Sequence, residues 1–202
     1  MKIFFLILPL IILSGCTTLS SSSQPSSDFD QWEAHKAHLS DLKHWQMNSR
    51  IFIQTKDDGF SSSIRWVQEV QSYQLRFSAP FGQGIYHLTG NPEKVSILLP
   101  DNTEQTAADP ETLMKQALGF KLPVSGLSYW LRGLPYPEDP DRNIILDRNE
   151  RLSELNQAGW DIKISRYLHK DGYYLPTKLT MENRHLKMKM VVKQWNLSVQ
   201  DN

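Results

Sequence analysis

The run Trp45-Gln46-Met47-Asn48-Ser49-Arg50-Ile51-Phe52-Ile53-Gln54 places Met47, Ser49, Ile51 and Ile53 at alternate positions, with Gln46, Asn48, Arg50 and Gln54 interleaved. A period of two is the pattern of a strand with one face buried and the other in water. Asp57-Asp58-Gly59 supplies a turn, and Phe60, Ser62, Ile64 and Trp66 then alternate with Ser61, Ser63 and Arg65. After a second turn over Glu69 to Ser72, Tyr73, Leu75 and Phe77 alternate with Gln74, Arg76 and Ser78. Three hairpin-connected antiparallel strands follow from this order. Beyond the turn Ala79-Pro80-Phe81-Gly82, Ile85 to Thr89 and Val95 to Leu99 add two more strands around Gly90-Asn91-Pro92. Such a meander exposes one apolar face that needs a cover.

The cover comes next in the chain. Asp109-Pro110-Glu111 offers an N-cap residue, a proline at the first helical position and an acid in the first turn. Leu113, Met114, Ala117 and Leu118 form an apolar stripe that stops at Gly119. A second short helix begins near Pro123-Val124-Ser125, carries Leu127, Trp130 and Leu131, and stops at Gly133, with Pro135 just beyond. Pro135 to Asp141 reads as a surface loop. Strands then resume at Asn143 to Leu146 and Arg151 to Leu155, with a turn at Asn156 to Gly159. Trp160, Ile162 and Ile164 alternate with polar residues, Lys170-Asp171-Gly172 turns the chain, and Leu179 and Met181 alternate again. Leu186, Met188, Met190 and Val192 give the last strand a purely apolar face before Trp195. A core is the usual reason for such a face on any single strand, but three methionines close together also suit a surface that adapts to variable ligands. Ahead of the first strand, Gln31 to Lys43 reads as a helix with Trp32, Leu39 and Leu42 on one side.

The chain has 202 residues with 22 Lys plus Arg and 22 Asp plus Glu, so the net charge is zero and no basic surplus points to nucleic acid or anionic lipid. At the N-terminus, Lys2 precedes the apolar run Ile3 to Leu13, which is closed by Ser14-Gly15-Cys16. That order is a secretory signal and not a membrane span, because the run falls below the roughly 20 apolar residues a spanning helix needs and contains Pro9. Leu13-Ser14-Gly15-Cys16 resembles the bacterial lipobox, which implies that Cys16, the only cysteine, is acylated after cleavage. Residues 1–15 are then the lipoprotein signal, 16–28 a Ser-rich flexible tether, and 29–202 a single domain. With its one cysteine committed, the domain has no internal disulfide, and its stability comes from packing.

Other chemistries find no support in the spacing. His35 and His38 stand a turn apart but lack a His-Glu-x-x-His run, and a polar helix face explains them, so no metal or other cofactor is expected. Gly82-Gln83-Gly84 lacks the third glycine of a dinucleotide fingerprint. No Gly-x-Ser-x-Gly elbow occurs, and an enzyme is not expected.

Taken in order, several stretches together resemble the outer-membrane lipoprotein receptor family LolB. They are the lipobox at Cys16, Gln31-Trp32, Arg65-Trp66-Val67-Gln68, Pro80-Phe81-Gly82, Pro123 with Leu127, Trp130-Leu131 and Gly133-Leu134-Pro135, Gly159-Trp160, Pro176 with Lys178-Leu179, and Leu186-Lys187-Met188 leading to Trp195. Phe81 stands where the family is associated with leucine, and Trp45 lies outside the pattern. The resemblance implies a mainly β fold: an open, curved antiparallel sheet, an incomplete barrel, covered by helices that enclose an apolar cavity. Thr17, not Asp, follows the lipidated cysteine, which by resemblance sends the protein to the outer membrane, facing the periplasm.

The implied function is to accept acylated lipoproteins from the periplasmic carrier LolA and to insert them into outer-membrane lipid, acting as a monomer without nucleic acid. Trp66, Phe77, Leu113, Met114, Leu118, Trp130, Trp160, Met188 and Met190 are the candidate lining of the acyl-chain cavity; plain core packing explains each of them about as well. Pro80, Phe81 and Gly82 form the candidate membrane-insertion loop. Read from the residues alone, Phe81 folds back on the sheet, whereas the resemblance places an exposed apolar side chain there. A structural lipoprotein that scaffolds an envelope complex is the rival reading, and it requires no cavity.

Overall fold

The computed structural model describes residues 28–78, 84–140 and 142–197. The signal, Cys16, and Pro80, Phe81 and Gly82 therefore lie outside the described residues. Helix α1 spans Asp28–Ser40, after which come β1 (His44–Gln54), β2 (Gly59–Glu69), β3 (Ser72–Ser78), β4 (Ile85–Gly90), β5 (Val95–Leu98) and β6 (Glu104–Ala107). Helices α2 (Pro110–Leu118) and α3 (Val124–Trp130) follow. The chain closes with β7 (Arg142–Leu146), β8 (Leu152–Gln157), β9 (Trp160–Lys170), β10 (Tyr173–Glu182) and β11 (Lys187–Asn196).

All eleven strands belong to one sheet in the order β6-β5-β4-β3-β2-β1-β11-β10-β9-β8-β7, and every pairing is antiparallel. The sheet is open, with β6 and β7 at its edges. Two meanders, β1 to β6 and β7 to β11, meet only where the first strand pairs with the last.

The alternation expected from sequence is present in the central strands. In β1, Trp45, Met47, Ser49, Ile51 and Ile53 are buried, and the same parity holds for Ile64 and Trp66 in β2. The last strand changes parity once. Ser49 pairs with Val192 but Asn48 pairs with Gln194, so the register shifts between them and returns Trp195 to the buried face beside Met190 and Val192.

Three features differ from the sequence expectation. Helix α1 starts at Asp28 and stops at Ser40, short of Lys43, because Asp41 and Leu42 donate to His38 O and Leu39 O and tighten the last turn. The strand β6 was not expected, since Glu104-Gln105-Thr106-Ala107 shows no apolar alternation. Strand β8 also runs on to Gln157, leaving only Ala158 and Gly159 to make the turn.

Helix α2 ends as the sequence implied. Asp109 Oδ1 accepts from Thr112 N at 2.8 Å at its start, and Gly119 takes φ 84 at its end, a conformation that glycine adopts without a Cβ penalty. In α3, Gly126 fills a different need. A Cβ there would come within 2.7 Å of the Trp130 ring, so the bare backbone gives the indole its place.

Candidate functional site

The buried face of the sheet is a ladder of apolar rows. One row crosses the sheet as Ile97, Leu88, Leu75, Trp66, Met47 and Trp195. The next contains Tyr86, Phe77, Ile64, Ser49 and Val192, with the Phe77 and Tyr86 rings stacked at 5.0 Å. Met190 lies between Ile51 and Leu179, and Met188 lies between Ile53 and Met181. Trp66, Phe77, Met188 and Met190 therefore occupy neighbouring rows on the central strands.

The helices cover this face. Leu113 and Met114 of α2 are fully buried, and Leu118 is half-buried at the end of the helix. Trp130 is buried in α3, and Trp160 is buried at the start of β9. All nine candidate lining residues join one continuous apolar core. At about 25 cal/mol per Å² of apolar surface, this burial is the main favourable term holding the helices down.

Polar contacts pin the cover at defined points. Glu111 Oε1 accepts from Ser125 N at 2.8 Å and Glu111 Oε2 from Ser125 Oγ at 3.3 Å, so α2 carries a carboxylate to the first turn of α3. Trp130 Nε1 donates to Gln157 Oε1 at 2.9 Å. The same Gln157 accepts from Tyr136 N and donates to the carbonyls of Tyr136 and Asp139, fastening the proline-rich loop to β8. Nothing in the alternation singled Gln157 out; its position on the buried parity of a strand is the only signal that it is special. On the other side of the face, α1 docks through buried Trp32 and Leu39 and through the stack of His38 on Tyr173 at 4.4 Å.

An opening of about 610 Å³ lies where α3 meets the end of β2 and the start of β3. Trp66, Val124 and Tyr129 supply apolar wall, and Gln68, Ser128 and Arg132 supply polar groups. Arg132 is bound to the carbonyls of Ser128 and Leu42 and lies over the Tyr129 ring at 4.9 Å. Burial depresses its pKa, and no carboxylate pairs with it among the described residues. Tyr73 also lines the opening; burial raises the pKa of its phenol, and its hydroxyl has no hydrogen-bond partner among the described residues. Of the nine candidate lining residues, Trp66 is the one that borders this opening.

No group of three or more His, Cys, Asp or Glu that could hold a metal occurs among the described residues, and no described helix is long and apolar enough to cross a membrane.

Solved structures similar in fold include a LolA-superfamily protein from Nitrosomonas europaea, with a TM-score of 0.52 and 9% identity over 84% of this chain and 94% of that one. Another is a DUF1329-family protein from Desulfovibrio piger, with a TM-score of 0.52 and 7% identity over 88% of this chain and 96% of that one. At such identities the likeness is one of fold. Relatives in sequence are closer. Outer-membrane lipoprotein LolB of Pseudomonas paraeruginosa is 36% identical over 197 residues, covering 96% of each chain. Outer-membrane lipoprotein LolB of Pseudomonas savastanoi pv. phaseolicola is 38% identical over 186 residues, 91% of this chain and 90% of the relative. The family described as outer membrane lipoprotein LolB matches residues 43–195, from just before β1 to near the end of β11. With an open eleven-stranded sheet, its helical cover and this extent of sequence likeness, the chain belongs to the LolB family of outer-membrane lipoproteins.

Proposed function

We propose that this protein is an outer-membrane receptor that takes acylated lipoproteins from the periplasmic carrier LolA and inserts their chains into the outer membrane, facing the periplasm. The observation that carries the reading is the apolar face of an open sheet, closed by short helices held at a few polar points. A closed barrel would fix its interior. An open sheet under a helical cover can admit a chain by letting the cover shift.

In this reading Trp66, Phe77, Leu113, Met114, Leu118, Trp130, Trp160, Met188 and Met190 form the surface that an acyl chain meets, and in the empty protein they meet one another. The methionines suit the task because an unbranched thioether refills irregular space as a chain enters or leaves. The half-polar opening beside Trp66, with Arg132 and Tyr73 on its wall, suits the polar end of the cargo. Acylation of Cys16 would hold the domain at the membrane, and Phe81 in the Pro80-Phe81-Gly82 loop would bring the cavity to the bilayer surface. Each acyl CH₂ buried is worth about 0.8 kcal/mol, so modest differences in burial among carrier, receptor and bilayer suffice to drive transfer without nucleotide hydrolysis.

Titration of the mature protein with a fluorescent fatty acid tests the reading. Saturable binding that is displaced by acylated lipoprotein is the expected result. Absence of saturable binding would point to a scaffold instead.

A further inference from the structure

The outer face of the sheet, opposite the helices, does not share the neutrality of the whole chain. On β9 to β11 two of its lysines are matched by acids: Lys163 pairs with Glu154 at 3.2 Å and Lys187 with Glu182 at 2.8 Å. Toward β1 to β3 the pattern changes. Arg50, Arg65, Arg76 and Lys193 line one shallow groove of about 450 Å³ with polar Asn48, Ser49, Ser63 and Ser78 and apolar Ile64, Phe77 and Ile85, and no Asp or Glu lines it. None of the four cations makes an ion pair among the described residues. The one hydrogen bond shown for this set runs from Arg65 Nη2 to Gln46 Oε1 at 3.1 Å.

The register makes the arrangement unfavourable by itself. Arg65 and Arg76 are direct cross-strand partners, and Arg76 is in turn opposite His87. Like charges placed opposite one another destabilise a sheet, and Ser or Thr at these exposed positions would avoid the repulsion. A ligand that supplies negative charge removes it. Apolar side chains are interleaved with the cations on the same face: Ile85 at the groove, Val191 directly opposite Arg50, and Phe52 directly opposite Lys189, all of them exposed. Cations mixed with exposed apolar groups match an interface that presents phosphates above hydrocarbon.

We propose that Arg50, Arg65, Arg76 and Lys193 form a docking surface for the phosphate groups of anionic phospholipids, which lays the outer face of the sheet against the membrane. This docking rests on the family's outer-membrane location and not on the acyl cavity, so either can fail without the other. The four cations of the groove are at exposed positions of β1, β2, β3 and β11, while Ser49, Ile64 and Phe77 of the buried rows border it from beneath. Its role is to orient the domain at the bilayer, and it takes no part in holding cargo.

The test is arginine footprinting of the mature, lipid-anchored protein in vesicles. Phenylglyoxal modification is read residue by residue in phosphatidylcholine alone and in phosphatidylcholine mixed with phosphatidylglycerol. Arg50, Arg65 and Arg76 should react about fivefold more slowly or less in the anionic vesicles, the effect expected when even one cation sits at a charged surface, and raised salt should restore the rate. Arg148 and Arg184, exposed elsewhere on the protein, should react alike in both. Arg65→Gln with Arg76→Gln should remove the protection of Arg50 while leaving fatty-acid binding unchanged. Equal reaction in the two vesicles, equal protection of Arg148 and Arg184, or protection by inorganic phosphate in neutral vesicles would each overturn the assignment to a lipid surface. Protection by an acidic protein but not by anionic lipid would overturn it in favour of a protein partner.

Discussion

Trp130 of the cover and Gln157 of the sheet are joined by a 2.9 Å hydrogen bond, and the Gln157 amide also serves the backbone of Tyr136 and Asp139. One buried amide therefore holds both α3 and the loop behind it. Gln157→Leu keeps the volume but leaves the buried Trp130 N–H unpaired, and it should destabilise the domain by about 1–3 kcal/mol. Urea denaturation measures the loss. Hydrogen exchange should show it first in α3 and the proline-rich loop.

Glu111 couples α2 to α3 through Ser125, so the two helices should loosen as a unit. In the empty protein their amides are expected to exchange faster than those of β1, β2 and β11, and to slow when a fatty acid is added. Glu111→Gln weakens the charge-assisted contact and should speed exchange in both helices while leaving the central strands unchanged. Equal protection with and without ligand would argue for a fixed core.

Cys16→Ala should abolish acylation. Metabolic labelling with a radioactive fatty acid is the direct measurement, and the variant is expected to carry no label and to leave the membrane fraction. Label retained on the alanine variant would refute acylation at this residue.

Phe81→Glu should accept cargo from the carrier at the normal rate and fail to pass it to liposomes, whereas Phe81→Leu should do both. Burial of one Phe side chain is worth roughly 1.5–3 kcal/mol, too little to anchor a domain but enough to press a loop into a bilayer already held near. Normal delivery by a folded Glu variant would remove the loop from the mechanism.

Acid should loosen α1. Burial, then the charge of His38, then Arg151 hold the His35 imidazole below its ordinary pKa, against the opposing pull of Asp147. The unfolded chain then binds the proton more readily, so this contribution is complete above about pH 6.5 and declines as the pH falls toward the folded value. His35→Gln should flatten that part of the profile. Urea midpoints of the two proteins between about pH 7.5 and about pH 5.5 should converge as the pH falls.

Much of this architecture was legible because a period of two is hard to mistake when it recurs with turn residues between. Trp66 with Ile64, and Met188 with Met190, announce their face by parity alone. β6 escaped because an edge strand of Glu-Gln-Thr-Ala packs little and carries no pattern. The parity change before Trp195 escaped because a bulge depends on the partner strand, which no local window contains. Gln157 was hidden for the opposite reason: its burial follows from position, but its partners are side chains and loops remote in sequence. Zero net charge concealed the groove at Arg50, Arg65 and Arg76, since a sum over the chain says nothing about which face each charge occupies. The same alternation that identified the strands had already put all three on one side.

The pairing of β1 with β11 has a consequence for how the molecule is made. The seam between the two meanders joins positions separated by nearly the whole length of the domain, such as Gln46 with Asn196. Contacts so distant form late and close a long loop when they do. A chain emerging N-terminus first can therefore assemble β1 to β6 while the far edge of β1 stands bare, with Met47, Ile51 and Ile53 unscreened until the last strand arrives. The final ten-residue strand therefore acts as a zipper, and until it pairs, β1 presents an adhesive strand edge to any other chain nearby.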